Sequence, residues 1–426
     1  MASLNQEQRD AFAEVLRFIN DPNRKVHRIS GGAGTGKSFF ISKVTDDILK
    51  HKDKDCPLME VAVTATTNKA AAVLKTSMQH RRGDISTIYS YMNLRVSSDY
   101  NTGEQKIVPI PKRWIVHTRT LIIVDEASMV TRALYDYIDK GTDSTCKILF
   151  VGDKNQLAPV REAISPVYAK THSESLLVNP VRNVEQPALM DLCNQAKETV
   201  LTGKFFKIQE VPGVIDFVTG NEMKGILERE YHTEDPTKRV LCYTNQKVIG
   251  YNEYVRELRG YTQTYEVGEM LTNNSSAELT DKTRLYTDQI VEVLSRGPEY
   301  DNTDWIPEAS FPMVDLEVRD PETFQIYNVS VCVDPEDRAE VLKYWSSRKK
   351  WERFFKFRDN VPDLRSVAAS TTHKAQGSTY DSVIVDLKDI GTCKNPEQTA
   401  RMQYVALSRP KHRPYIRGEL SNRYFK

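Results

Sequence analysis

Eight consecutive residues, Gly31-Gly32-Ala33-Gly34-Thr35-Gly36-Lys37-Ser38, have the types and spacing to cradle a phosphate. Glycines let the backbone curl until its N–H groups converge on an anion, and a helix N-terminus behind them adds the positive end of its dipole. Lys37 would reach the β- and γ-phosphates, and the Ser38 hydroxyl would hold Mg²⁺. The pattern carries chemistry only between a strand and a helix, and both are present. Lys25 to Ile29 reads as a short strand, while Phe40, Ile41, Val44, Ile48 and Leu49 recur as one face of a helix. These residues imply a bound nucleoside triphosphate with its Mg²⁺, held by Gly32, Gly34, Thr35, Gly36, Lys37 and Ser38.

A metal on phosphates needs acidic partners. Asp125-Glu126-Ala127-Ser128 follows the apolar run Leu121-Ile122-Ile123-Val124. Asp125 would hold Mg²⁺ with Ser38, and Glu126 would polarise a water for attack on the γ-phosphate. Gly152-Asp153-Lys154-Asn155-Gln156 ends the next apolar strand; Gln156 could bond the γ-phosphate or the attacking water, and Asp153 could orient it. That run is also ordinary turn chemistry. Near the N-terminus the Gln8 amide could both donate to and accept from an adenine edge. Asn5 with Gln8 three residues later also forms a capping box, which spacing alone favours.

The elements that position these residues alternate. Glu60 to Thr64 reads as a strand, Asn68 to Met78 as an Ala-rich helix, and Lys147 to Val151 as a buried strand. Such alternation describes a doubly wound α/β domain with ligands at the C-terminal edge of its sheet. Residues 88–116 interrupt it with a polar stretch too long for a connection, read as an inserted subdomain. A second α/β pattern begins at Val240 to Thr244 and resumes at Ser366 to Ser370, Val383 to Asp386 and a helix around Gln403 to Leu407. Between its halves, Gln289 to Leu294 and Met313 to Val318 look like strands of a small β domain. A basic and aromatic helical stretch follows from Glu336 to Arg358. It suits single-strand binding, an amphipathic helix packed on the β domain, or both.

The chain has 426 residues and a formal net charge of +1, so any nucleic-acid surface must be a local groove. Six cysteines are scattered with no C-x-x-C pair, which argues for reduced thiols and against structural zinc. No apolar run approaches a membrane span and no signal-peptide pattern opens the sequence, so it reads as a soluble, intracellular chain without a membrane partner.

In combination and in order, these motifs resemble the superfamily-1 helicases of the 5′→3′ (B) branch, and within them the Dda-like members of T4-like phages. The resemblance runs from Leu4 to about Arg413. It is carried by Leu4 to Gln8, the phosphate loop, Thr64 to Leu74, Ser86-Thr87-Ile88, Asp125 to Ser128 and Gly152 to Val160. Val181-Arg182-Asn183, Tyr243-Thr244-Asn245, Ser370 to Gly377 and Tyr404 to Arg409 complete it. It implies two RecA-like P-loop domains in tandem, each with an insertion. The first domain would comprise residues 1–87 and 117–178, with a pin subdomain at 88–116. The second would comprise 179–262 and 363–426, with an SH3-like β domain at 263–362.

Under the resemblance Gln8 becomes the adenine reader, and Arg182 and Arg409 reach the γ-phosphate from the second domain. Gln376 and Gly377 would bridge nucleotide and strand. Thr66, Thr67, Asn68, Ser86 and Thr87 would line a single-strand path with Thr244, Asn245, Thr371, Thr372 and His373. Asn68 stands where the family often has histidine and cannot stack as an imidazole would. Tyr91, Tyr100 and Trp114 are the candidate wedge aromatics of the pin, although core packing is the commoner work for such residues. The arm at 336–358 could tie the β domain to the pin.

The implied activity is ATP-dependent 5′→3′ unwinding and translocation on single-stranded DNA. The implied partners are single-stranded and duplex-junction DNA, with replication or single-strand-binding proteins beside them. The expected state is a monomer in the cytoplasm of an infected bacterial host. An RNA-directed helicase of the same superfamily, or a nucleic-acid-stimulated ATPase that clamps without unwinding, would use the same motifs.

Overall fold

The structure is a computed structural model that describes residues 4–50, 60–78, 85–159, 162–170, 172–181, 186–279, 283–306 and 310–425. Its first layer is a six-stranded parallel sheet in the order Ile85–Thr87, Glu60–Ala65, Thr120–Asp125, Lys147–Gly152, Val26–Gly31, Ser173–Leu177. Alternate side chains of its strands leave opposite faces. Ile29, Val63, Leu121, Ile123, Leu149 and Val151 join one core, against the helices Gln6–Asn20, Lys37–Lys50 and Asn68–Ser77. Ala62, Ile122, Val124, Ile148 and Phe150 join the other, against the helix Arg132–Lys140. Continuous apolar strands follow from burial on both faces.

The second layer is a five-stranded parallel sheet in the order Ala369–Thr371, Lys238–Cys242, Tyr380–Asp386, Pro410–Arg417, Asp216–Val218. Helices Pro187–Thr202 and Pro396–Leu407 cover the face bearing Leu241, Val383, Val385 and Ile416. Helices Gly220–Glu230 and Asn245–Leu258 cover the face bearing Val240, Cys242 and Ile384.

Two smaller pieces project from these sheets. Leu94–Ser98 and Gln105–Pro109 form an antiparallel hairpin. Met270–Asn273, Ile290–Asn302, Phe311–Arg319, Ile326–Cys332 and Leu364–Ser366 build a five-stranded antiparallel sheet. The stretch expected as one strand at 366–370 divides here: Ser366 ends a strand of the antiparallel sheet, and Ala369 begins a strand of the second parallel one.

The basic-aromatic stretch is two helices, Pro335–Ser347 and Trp351–Asn360, separated at Lys349, whose φ is +53°. Trp345, Phe355 and Phe357 are buried, so the aromatics are chiefly core of the β domain. The second helix also meets the hairpin. Gly103 in the hairpin turn lies flat against the Trp351 indole, and the Tyr100 ring stands 5.9 Å from Phe355. With its amide oxygen turned toward Arg358, Gln105 accepts from both terminal guanidinium nitrogens at 2.9 and 3.1 Å.

Candidate functional site

The polar residues of both parallel sheets collect at the C-terminal ends of their strands, where the sheets face one another. The phosphate loop leaves the strand Val26–Gly31 with Gly34 and Gly36 at φ +79° and +80°. Lys37 Nζ donates to Gly31 O at 2.8 Å and Gly32 O at 2.9 Å, and Thr35 Oγ1 donates to Gly32 O. Gln8 is buried beneath the loop. Its Oε1 accepts from Asn5 N at 3.1 Å, completing the capping box, and its Nε2 donates to Thr35 O at 3.2 Å. Both ends of the amide are engaged within the chain, so here Gln8 ties the first helix to the loop instead of presenting a base-reading edge.

Asp125 ends its strand buried, and its Oδ1 accepts from Glu126 N at 2.8 Å. Burial, reinforced by the neighbouring Glu126 charge, holds the Asp125 carboxyl well above the usual carboxylate range, with Lys37 drawing it back. Such a carboxylate gains most from a cation. Glu126 adopts the left-handed conformation, φ +53° and ψ +46°, which aims its carboxyl away from the strand. Three buried acceptors of this region have no partner: Glu126 Oε2, Gln156 Oε1 and Gln376 Oε1. An all-oxygen donor set with unpaired acceptors suits hydrated Mg²⁺ on phosphate and a positioned water.

Contacts between the two sheets' domains close the cleft. Tyr404 Oη accepts from Ala33 N at 2.9 Å and donates to Asp153 Oδ2 at 2.6 Å. Gln376 Nε2 donates to Ser128 Oγ at 3.0 Å, and Gly377, at φ +76°, has its Cα face turned to the Glu126 carboxylate. Lys69 Nζ donates to Lys374 O, and Arg401 Nη1 donates to Lys154 O and Gln156 O at 2.7 and 2.8 Å. Beside the loop lies a cleft lined by Gly32 to Thr35, Leu189, Met190, Asn194, Lys197 and Tyr404 among others.

Of the two expected arginines, Arg182 lies outside the described residues. Arg409 is buried and turned into its own domain: Nε donates to Val405 O, Nη1 to Ser378 O and Nη2 to Ser408 Oγ, at 2.8–2.9 Å. The guanidinium does not face the phosphate loop here, and Arg401 is the arginine that crosses. Arg409 also belongs to a buried cationic group. Burial alone would raise the Tyr380 phenol, but Arg239, Lys69 and Arg409 outweigh it and bring it down to about 8.

The expected strand path divides into exposed and buried members. Thr67 caps the helix Asn68–Ser77, and both it and Asn68 are exposed. Ser86 and Thr87 are half-buried at the next strand end. Across the cleft Asn245 is exposed, while Thr244 caps the helix Asn245–Leu258 with its hydroxyl bound to Asp389 at 2.9 Å. Thr371 and His373 are half-buried, and burial lowers the pKa of the imidazole. Two positions need correction. Thr372 is fully buried with its hydroxyl donating to Cys242 O at 3.0 Å, and Thr66 is buried with its hydroxyl donating to Glu126 O at 3.3 Å. Neither hydroxyl is presented to a strand.

Tyr404, Arg401, Ser128 and Asp389 make contacts at the cleft and beside the expected strand path that motif reading passed over. Tyr404 belongs to a motif block, but its hydroxyl's partners, Ala33 and Asp153, lie hundreds of residues away, where no spacing reveals them.

A family described as an AAA domain matches residues 3–196, and one described as a UvrD-like helicase C-terminal domain matches residues 366–416. An ATP-dependent DNA helicase of Enterobacteria phage T4, dda, is 22 % identical over 96 % of this chain and 98 % of its own. An uncharacterised protein of Acanthamoeba polyphaga mimivirus is 21 % identical over the same shares. Along nearly its whole length the chain is thus similar to an ATP-dependent DNA helicase. The Pif1 helicase from Bacteroides, solved with ADP-AlF3 and single-stranded DNA, matches all of this chain and 95 % of its own with a TM-score of 0.55 at 15 % identity. At that identity the likeness carries the fold alone, and the two parallel sheets are a tandem RecA-like pair. The antiparallel sheet and the hairpin are inserted between strands of these two sheets. Among the described residues no helix is long and apolar enough to cross a membrane.

Proposed function

We propose that the protein is an ATP-dependent DNA helicase that moves 5′→3′ along one strand and separates a duplex with the hairpin at 94–109. The observation that carries this reading is the single cleft in which phosphate loop, Glu126, Gln156 and Gln376 meet across two RecA-like sheets. A nucleotide there would change the contacts between the sheets, and strand-path residues stand on both. The T4 relative's designation as an ATP-dependent DNA helicase supports the DNA reading.

The division of work follows from the geometry. The loop amides and Lys37 bind the phosphates of ATP. Ser38 and Asp125 would hold Mg²⁺, which when bound neutralises charge on the transferred phosphoryl group. Glu126, aimed into the cleft with Oε2 unpaired, accepts the proton of the attacking water. Gln156 and Gln376 present unpaired amide oxygens that orient that water. Thr67, Asn68, Thr87, Asn245 and Thr371 meet the strand's phosphates without reading bases, and Thr66 and Thr372 support them from beneath.

Among the three candidate wedge aromatics, Tyr91 stacks on His117 at 4.5 Å and Trp114 meets Tyr137 edge-on at 5.8 Å, both in the first domain's core. Tyr100 alone of these stands exposed in the hairpin turn, and it is the wedge residue on this reading. The test offers forked, 5′-tailed and 3′-tailed duplexes with ATP and a trap strand, and compares ATPase stimulation by single-stranded DNA and RNA. Separation of the 5′-tailed substrate with DNA-stimulated hydrolysis is expected. Separation of only the 3′-tailed substrate, or stimulation by RNA alone, would overturn the reading.

A further inference from the structure

The phosphate loop, the turn after the strand Lys147–Gly152 and the helix Pro396–Leu407 meet at one hydroxyl. Tyr404 is 2 % exposed, its ring packed with Leu157, Leu189 and Ala33. Its Oη accepts from Ala33 N and donates to Asp153 Oδ2. Ala33 N belongs to a loop whose backbone N–H groups receive phosphate oxygens, so the hydroxyl and a nucleotide draw on the same set of donors. Asp153 Oδ2 also receives Gln156 Nε2 at 3.5 Å, so Tyr404 and Gln156 share one carboxylate oxygen. One turn earlier on the same helix, Arg401 holds the carbonyls of Lys154 and Gln156.

We propose that the Tyr404 hydroxyl is a nucleotide-sensing switch: a phosphate oxygen takes the Ala33 N–H from it, and its displacement leaves Asp153 to position Gln156. The inference rests on the nucleotide cleft described above and names a positioning residue within it. An anionic oxygen prevails in this exchange because charge-assisted hydrogen bonds are about twice as strong as neutral ones. The exchange reaches the second domain because the tyrosine and Arg401 ride on one helix. Occupancy of a single loop amide thereby alters the grip of that helix on residues 153–156 of the first domain. Thr35 and Lys37 cannot serve this purpose, since their partners lie within the loop itself.

Tyr404→Phe keeps the ring and removes the competitor. Without DNA, a non-hydrolysable ATP analogue is expected to bind the full-length variant about fivefold tighter, the worth of one neutral hydrogen bond. In single-strand-stimulated hydrolysis KM for ATP falls while kcat is kept, because Asp153 stays free to position Gln156. A ring that only packs would leave affinity unchanged or weaken it. Equal or weaker analogue binding by a variant that melts like the wild type overturns the switch. Should the variant fail to fold, wild-type protein carrying a fluorinated tyrosine at position 404 decides the matter. Its fluorine resonance moves when the analogue is added, and an unmoved resonance in analogue-saturated protein overturns the proposal. Wild-type protein that binds no analogue at all would sink the cleft itself, whereas equal affinities sink the switch alone.

Discussion

Gly103→Val tests whether the hairpin is a wedge braced by the β domain. The hairpin turn is built on Asp99, whose carbonyl accepts from Gly103 N at 2.8 Å and whose Oδ1 accepts from Asn101 N at 2.8 Å. Gly103 holds φ +76°, and a Cβ there would lie 2.5–2.7 Å from three atoms of the Trp351 ring. An L side chain in the left-handed region costs roughly 1–2 kcal/mol, before any clash. The indole is rigid and must shift, endangering the neighbouring Tyr100–Phe355 pair, a contact worth roughly 0.5–1.5 kcal/mol. The joint therefore loses roughly 2–3 kcal/mol, an undocking equilibrium shifted about 30-fold or more. Opening one base-pair step requires only about 1.4 kcal/mol. A brace weakened by more than that yields before the duplex does. Single-turnover unwinding of a 5′-tailed duplex should fall about tenfold or more. Hydrolysis stimulated by single-stranded DNA should stay within about twofold, because no cleft contact is touched. Wild-type unwinding by Gly103→Val would show that the hairpin needs no brace, and the argument from this joint would fail.

Glu126→Gln should bind ATP with near-normal affinity yet lose about 10² or more in turnover, because the amide keeps the shape without accepting a proton. Equal losses in binding and turnover would remove Glu126 from the base role. Arg409→Ala should lose about 3 kcal/mol of stability, since three buried charge-assisted bonds disappear together; unchanged thermal unfolding with abolished turnover would return the guanidinium to the phosphates. The Tyr380 phenol should ionise near pH 8, seen as tyrosinate absorbance missing from Tyr380→Phe. With the folded pKa depressed below an ordinary value near 10, its contribution of about 3 kcal/mol is complete above pH ~10 and lost as pH falls through 8. Stability that falls relative to Tyr380→Phe between those pH values would contradict the cationic surround.

What the sequence made legible was whatever is local. The phosphate loop with its flanking strand and helix, the strand-end acids and the alternation of the first sheet depend on neighbours within a few residues. The capping box at Asn5 and Gln8 is local as well, and it formed. What escaped depends on partners that no spacing reveals. Thr66 reads as a phosphate contact until its hydroxyl is found on the Glu126 carbonyl. Thr372 reads as one until the strand Lys238–Cys242 is laid beside it. Arg409 belongs to a motif that points at phosphate, yet three acceptors of its own domain hold it. The aromatics at 345–357 were decided by tertiary burial, since a helical stripe of Trp and Phe serves a core and a nucleic-acid surface equally well.

The left-handed Glu126 explains why these hidden contacts belong to function. A non-glycine residue at φ +53° is strained on the order of 1 kcal/mol and persists only where its surroundings over-determine it. Its carbonyl is held by the Thr66 hydroxyl, its N–H by Asp125, and the adjoining Ser128 by Gln376 of the other domain. One of those supports begins the segment Thr66-Thr67-Asn68, which leads to the proposed strand path; another crosses the nucleotide cleft. A strand that shifted Thr67 and Asn68 would therefore pull on the backbone that aims the carboxylate proposed as the base. Closure of the second domain pulls on it from the opposite side. On the proposed function, strain at Glu126 offers a physical route by which strand binding and domain closure would together set the rate of hydrolysis.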